Sequence, residues 1–439
     1  MLWTTILVMS SMLAGYEPTW ESIDQRPNPQ WFEDAKFGIF VHWGVYSVPS
    51  WGPKDQYAEW YWYFMEDKNS PTWQFHKEKY GEKFKYQDFA PMFKAELFDP
   101  DQWADIFKRS GAKYVVLTSK HVEGFCLWPA PHSWNWNSVD IGPHRDLAGD
   151  LINAVKKTGL KAGFYYCMYE WFNPLYNSDV NKYVDEYMLP QMKDLVIRFQ
   201  PDVFWPDGEW DHPSSVWRSP EFIAWLFNES PAPKDIVIND RWGKECRNVH
   251  GGFATPEYGH IPEGPLIEKG RFEECQGIGK SFGYNRNEDA ECYRSTTELL
   301  HLLIDNVSRG GNLLLDIGPS ADGRIPEIMQ ERLLEMGKWL NVNGDAIYGT
   351  DVWKDAPKVD NFRFTRKGNA IYAIALQWPP DKWSIPKPAD YQNQPKVSLL
   401  GSSVEVPVAD GGTEWVITTP CLSPANIPCQ HAWTFKLEF

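Results

Sequence analysis

The chain has 439 residues, 43% of them hydrophobic and 23% charged, enough for a large folded unit with a smaller one attached and too apolar for a disordered acidic protein. Its formal net charge is −16 and its isoelectric point about 5.1. Nucleic acid and anionic membranes repel such a surface, so a neutral substrate suits it better, although solubility alone also accounts for the charge.

Residues 1–15 (MLWTTILVMSSMLAG) carry no charged side chain and end in small residues. The run is too short to span a bilayer and reads as a secretory signal peptide, with a buried N-terminal strand as the alternative. No later stretch has the length and apolarity of a transmembrane helix. Phe37–Val41 reads as a strand. Asp99-Pro100 opens a helix, an N-cap followed by proline in the first turn; Trp103, Ile106 and Phe107 share one face and Gly111 ends it. Strands follow at Tyr114–Thr118, Ala162–Tyr166, Val203–Trp205 and Ile236–Ile238. Between them lie helices over Asp146–Lys157, Val184–Phe199 and Pro220–Phe227. Ser295-Thr296-Thr297-Glu298 is a capping box that opens a helix to about Val307. Asn312–Ile317 is the next strand and Pro326–Leu340 the last helix. Repeated strand–helix units imply parallel strands with right-handed crossovers. No glycine-rich phosphate loop follows the first strand, which argues against a nucleotide fold. The α/β reading is a (β/α)8-like, TIM-type barrel over residues 16–350. Beyond it, Phe362–Arg366, Ala370–Leu376, Lys396–Leu400, Trp415–Thr419 and Trp433–Glu438 alternate like strands, predicting a C-terminal antiparallel β-sandwich over 351–439 with Pro379–Pro395 as a loop.

Seven cysteines are scattered without any CxxC, which excludes a disulfide scaffold and argues against a zinc cluster; Cys421 and Cys429 could close a short loop. Asn228-Glu229-Ser230 and Asn306-Val307-Ser308 are glycosylation sequons.

Barrel chemistry sits at the C-terminal ends of strands. Those ends here run into His42-Trp43-Gly44, Ser119-Lys120-His121, a tyrosine pair, Asp207-Gly208-Glu209-Trp210 and Asn239-Asp240-Arg241-Trp242. Tryptophan, 24 in all, recurs beside histidine, carboxylate and arginine there. Indole faces stack on the CH-rich faces of sugars, whose hydroxyls seek such polar partners; core packing is the competing explanation for each Trp alone. Glycoside hydrolysis needs two carboxyl groups, one to attack or activate water and one to protonate the leaving oxygen. Asp207 directly follows an apolar strand and is aimed rigidly; a structural hydrogen-bonding role would place it equally well.

The segments Phe37-Gly38-Ile39-Phe40-Val41-His42-Trp43-Gly44, Trp136-Asn137-Ser138, Gly142-Pro143-His144-Arg145-Asp146-Leu147, Trp205-Pro206-Asp207-Gly208-Glu209-Trp210, Asn239-Asp240-Arg241-Trp242-Gly243 and Gly310–Pro319 resemble, in order, the α-L-fucosidases of glycoside hydrolase family 29, closest to the animal lysosomal or secreted type. The resemblance spans about Pro18 to the last strand. It implies the barrel-plus-sandwich fold and retaining hydrolysis of terminal α-L-fucose from fucosylated glycans, without cofactor, metal, nucleic acid or membrane; oligomer size stays open. It implies Asp207 as nucleophile. Glu273, in Phe272-Glu273-Glu274-Cys275 ahead of Phe282-Gly283-Tyr284, is the implied acid/base, with Glu274 and Glu257 as rivals. Fucose-binding positions carry over to His42, Tyr57, Glu59, Trp60, His121, Tyr166 and Trp205. The family's usual second histidine is Val122 here, and its arginine maps to Arg241 or Arg271. A non-catalytic fucose-binding protein and a hydrolase of another sugar are the competing classes.

Overall fold

The computed structural model describes residues 15–439 apart from 261–262, 360, 389 and 392, so the segment read as a signal peptide lies outside the described residues. Seven parallel strands form one curled sheet: β1 (Phe37–Val41), β2 (Tyr114–Lys120), β3 (Lys161–Cys167), β4 (Val203–Asp207), β5 (Val237–Ile238), β6 (Glu273–Gly277) and β7 (Asn312–Ile317). Their order is β5-β4-β3-β2-β1-β7-β6, with β1 in register against both neighbours through Gly38↔Tyr114 and Gly38↔Leu314. Among the described residues no ladder joins β5 to β6. The irregular stretch 254–257 lies along β6 instead, bridging Ala254 to Phe272 and Glu257 to Cys275 in parallel. The expected eightfold barrel is thus seven strands and a non-strand seam.

The period of two divides each strand between two cores. Phe40, Tyr114, Val116, Tyr165, Trp205 and Leu314 fill the barrel interior. Ile39, Leu117, Phe164 and Phe204 pack outward with helix residues such as Ile106, Leu151 and Leu300. The helices start where their caps predict: Asp99 accepts from the Asp101 and Gln102 amides, Asp146 from Gly149, and Ser295 and Glu298 close the capping box of Thr296–Ser308. The helix read over Val184–Phe199 contains a π-turn at Val184–Met188, just before Pro190, which cannot donate to the helical ladder.

After residue 350, a five-stranded antiparallel sheet and a three-stranded one enclose a second core around Phe364, Ile371, Trp383, Trp415 and Phe435. Lys382–Pro386, read as loop because of its prolines, is a strand at the edge of the smaller sheet, where a missing amide donor is tolerated. Two further readings are corrected. Cys421 and Cys429 are both free thiols, and Cys429 instead contacts the Ala432 carbonyl and Asn343. Asn306 is buried inside its helix and cannot carry a glycan, whereas Asn228 is exposed.

Candidate active site

In β4, the sequence Val203-Phe204-Trp205-Pro206-Asp207 alternates so that Val203 and Trp205 face the barrel interior. Asp207 closes the strand, and Gly208 then turns the chain with φ of +75°, where an added Cβ would meet the Tyr169 amide at 2.8 Å. The Asp207 side chain is 13% exposed. It accepts from the Tyr165 hydroxyl at 2.9 Å and from Arg241 Nη1 at 2.7 Å, with Arg247 3.7 Å away. Burial alone would raise its pKa, but the two guanidiniums outweigh burial and hold it below the ordinary carboxylate value.

Arg241, from the Asn239-Asp240-Arg241-Trp242 turn after β5, is itself buried. Its Nε donates to Thr255 Oγ1 at 2.8 Å and its Nη2 to the Thr255 carbonyl at 3.1 Å. Nη2 also donates to Glu257, so one planar fork links Asp207 to Glu257. The Glu257 side chain is 32% exposed. The guanidinium also sits 4.5 Å over the Trp205 ring.

These groups open into a pocket of about 90 Å³, whose walls also include His42, Tyr57, Glu59, Trp60, His121 and Trp210. His42 pairs through Nδ1 with Asp316 at 2.6 Å and packs on Phe282. Burial drives the His42 pKa well down and the Asp316 pKa well up. Glu59 lies at the floor, accepting from Ser281 Oγ at 3.1 Å and the Gly283 amide at 2.9 Å, and burial raises its pKa. His121 stacks on Tyr165. Val122, Phe40 and Phe282 add an apolar strip.

Thus His42, Tyr57, Glu59, Trp60, His121, Trp205 and Asp207 converge. Two expected residues do not. Tyr166 faces the helices, donating to Gln191 at 2.8 Å; strand alternation turns its neighbour Tyr165 inward. Glu273 does not line the pocket. It is 1% exposed behind Trp205, accepting from the indole Nε1 at 3.0 Å and from the Tyr114 hydroxyl. Burial lifts its pKa to about 7. Glu274 points the other way and accepts from the Gly259 amide at 2.7 Å. Tyr165 and Trp210 were missed as binding positions. Alternation counted from Trp205 and Asp207 could have found Tyr165, because the ladder pairs it with Trp205. Of the two arginine candidates, Arg241 lines the pocket and Arg271 does not.

The family model for alpha-L-fucosidase matches residues 6–345, and that for the alpha-L-fucosidase C-terminal domain matches 356–438. The tissue alpha-L-fucosidase of Rattus norvegicus is 43% identical, over 98% of this chain and 96% of its own. The Thermotoga maritima alpha-fucosidase solved with a mechanism-based inhibitor superposes with a TM-score of 0.83 at 40% identity, covering 97% of this chain and 100% of that one. The same enzyme solved with fucose gives 0.82 at 39%, covering 96% and 100%. The chain therefore belongs to the α-L-fucosidase family.

Proposed function

We propose that this protein is a retaining exo-α-L-fucosidase in which Asp207 is the nucleophile and Glu257, not Glu273, is the general acid and base. The observation that carries this reading is the Arg241 fork, which holds the one partly exposed carboxylate that lines the pocket among the described residues beside an ionised, buried one. Two carboxylates on one guanidinium fit the close spacing of retaining hydrolases, about 5–5.5 Å, better than the wider gap an inverting enzyme needs for water.

The pocket takes a single ring, which favours cleavage at a chain end. Its apolar strip of Phe40, Val122 and Phe282 suits a sugar that carries a methyl at C6, while His42, Glu59, His121 and Trp60 suit its hydroxyls and ring face. Val122 offers no hydrogen bond where the family usually has histidine, and one unmade contact costs about 1–3 kcal/mol. As the substrate displaces Arg241 from Glu257, that carboxylate takes up a proton from solvent; in the first step an Asp207 oxygen then bonds to the anomeric carbon as the C1–O bond breaks, and Glu257 gives this proton to the departing oxygen. The leaving oxygen takes the place of Arg241 as the partner of Glu257. Water then attacks C1 of the ester, Glu257 takes its proton, and Asp207 is released. Glu273, its pKa lifted to about 7 by burial, is neutral in the acidic range and steadies the pocket wall behind Trp205. The leader-like residues 1–15 support a lysosomal or secreted site of action.

A chromogenic α-L-fucoside, with galactoside and glucosaminide controls, tests the activity. Asp207→Gly should abolish turnover with the fold intact. Glu257→Ala should lose about 10²–10⁴-fold in rate on substrates with poor leaving groups and yield a fucosyl azide when azide is supplied. Azide rescue of Glu273→Ala, and not of Glu257→Ala, would reverse the assignment.

A further inference from the structure

We propose that the groove beside the fucose pocket, walled by Trp62, Tyr63 and Trp171 and edged by Glu66, Asp67 and Asn177, binds the uncharged sugar units to which the fucose is attached. This deepens the hydrolytic reading by giving the site its leaving-group side.

The groove has a volume of about 810 Å³, room for several rings where the pocket takes one. The two share no lining residue among the described residues, but one aromatic layer separates them and touches both. Trp60 lines the pocket, and its ring meets Trp171 at 5.4 Å and Tyr63 at 5.6 Å, both nearly edge-on. The Trp171 amide donates to the carbonyl of Val122 at 2.9 Å, and Val122 lines the pocket. The pocket's exposed or partly exposed wall is Tyr57, Trp60, Trp210 and Glu257, and of these Trp60 is the one whose ring meets the groove's Tyr63 and Trp171.

The groove also has the right chemistry. Tyr63 is 55% exposed and lies near-parallel to Trp171, 6.1 Å away at 25°. Aromatic faces left in water are costly unless something covers them, and the CH faces of pyranose rings cover them well. Carboxylate and amide groups at the edge are partners for hydroxyls. Among the described residues no lysine or arginine lines the groove, whereas Glu66 and Asp67 do. The occupant is therefore a neutral oligosaccharide, and sialylated or sulfated chains are repelled.

The test compares kcat/KM on a neutral fucosylated tetrasaccharide with kcat/KM on an aryl α-L-fucoside. Tyr63→Ala should lower that ratio about 3–10-fold, the worth of one aromatic contact, and Asn177→Ala should lower it in the same direction. Exchanging both Glu66→Gln and Asp67→Asn should raise relative cleavage of a sialylated tetrasaccharide several-fold. Unchanged ratios in Tyr63→Ala and Asn177→Ala would overturn the proposal. An NMR titration of the wild type with the fucose-free tetrasaccharide decides the groove independently of hydrolysis. Shifts that weaken in Tyr63→Ala support it, and no shifts refute it, even if the aryl fucoside proves not to be a substrate.

Discussion

Arg241 sets the charge of Asp207. Without its guanidinium, Asp207 would stay buried with only the more distant Arg247 and the Tyr165 hydroxyl to favour ionisation. Arg241→Gln should therefore raise the Asp207 pKa and move the acid limb of the kcat/KM–pH profile upward with it. An unmoved limb would show that another group governs ionisation. Glu273 carries the opposite shift, from the ordinary 4.5 to about 7. A carboxyl raised on folding contributes stability that is fully present below pH 4.5 and lost as pH rises through 7, here on the order of 3 kcal/mol. Melting temperature should fall between pH 4.5 and 7 in the wild type and fall less in Glu273→Gln; identical slopes in the two would contradict this. The sequence alone placed Asp207 correctly at a strand end but could not separate three glutamates. Nothing in Phe272-Glu273-Glu274-Cys275 reveals that one carboxyl points into the barrel behind Trp205 and the other away. Nor does a Tyr165–Tyr166 pair declare its phase until the strand is set against Trp205.

Strands and helices were legible wherever an apolar run, an alternating pattern, one apolar helix face or a cap marked them. β1 and β7, read as Phe37–Val41 and Asn312–Ile317, have those bounds in the structure. β6 escaped notice because Glu273-Glu274-Cys275-Gln276-Gly277 has no apolar run; of its inward residues only Cys275 joins the interior cluster, and Glu273 is held there by the Tyr114 and Trp205 polar atoms. Gly38 has an element-scale role. A Cβ there would lie 2.4 Å from the Tyr114 ring, which crosses β1 to reach Glu273. Gly38→Ala should displace that tyrosine, cost about 1–3 kcal/mol from overpacking, and loosen Trp205 at the pocket wall. Chemical denaturation would register the first effect and a raised KM the second; a variant normal in both would refute the link.

At the scale of the molecule, the two cores are joined by one strand. Along Ala370–Ala375, Ala370, Tyr372 and Ile374 face the core of the barrel side, while Ile371, Ala373 and Ala375 face that of the antiparallel sheets. Trp339 also donates to the Ala432 carbonyl at 2.8 Å, and Thr365 to that of Ala346. Truncation after residue 350 should leave apolar helix surface bare and give aggregated protein rather than a small active enzyme. A soluble, monodisperse, active fragment on gel filtration would disprove that dependence. The change of character near residue 350 was visible in the sequence, but this shared strand was not, because alternation of apolar with apolar residues hides which neighbour each face meets. A last consequence concerns the gap between β5 and β6. A ladder on both sides fixes how many residues a strand has, since one more or one fewer flips every side chain after it. Among the described residues, the stretch that bears Glu257 is bridged on the sheet side to Phe272 and Cys275 and has no ladder to β5, so chain length there can drift by a residue or two while the rest of the barrel keeps count. The proposed proton donor is thus written in the part of the chain where spelling is least constrained, and alignment by spacing is least able to find it.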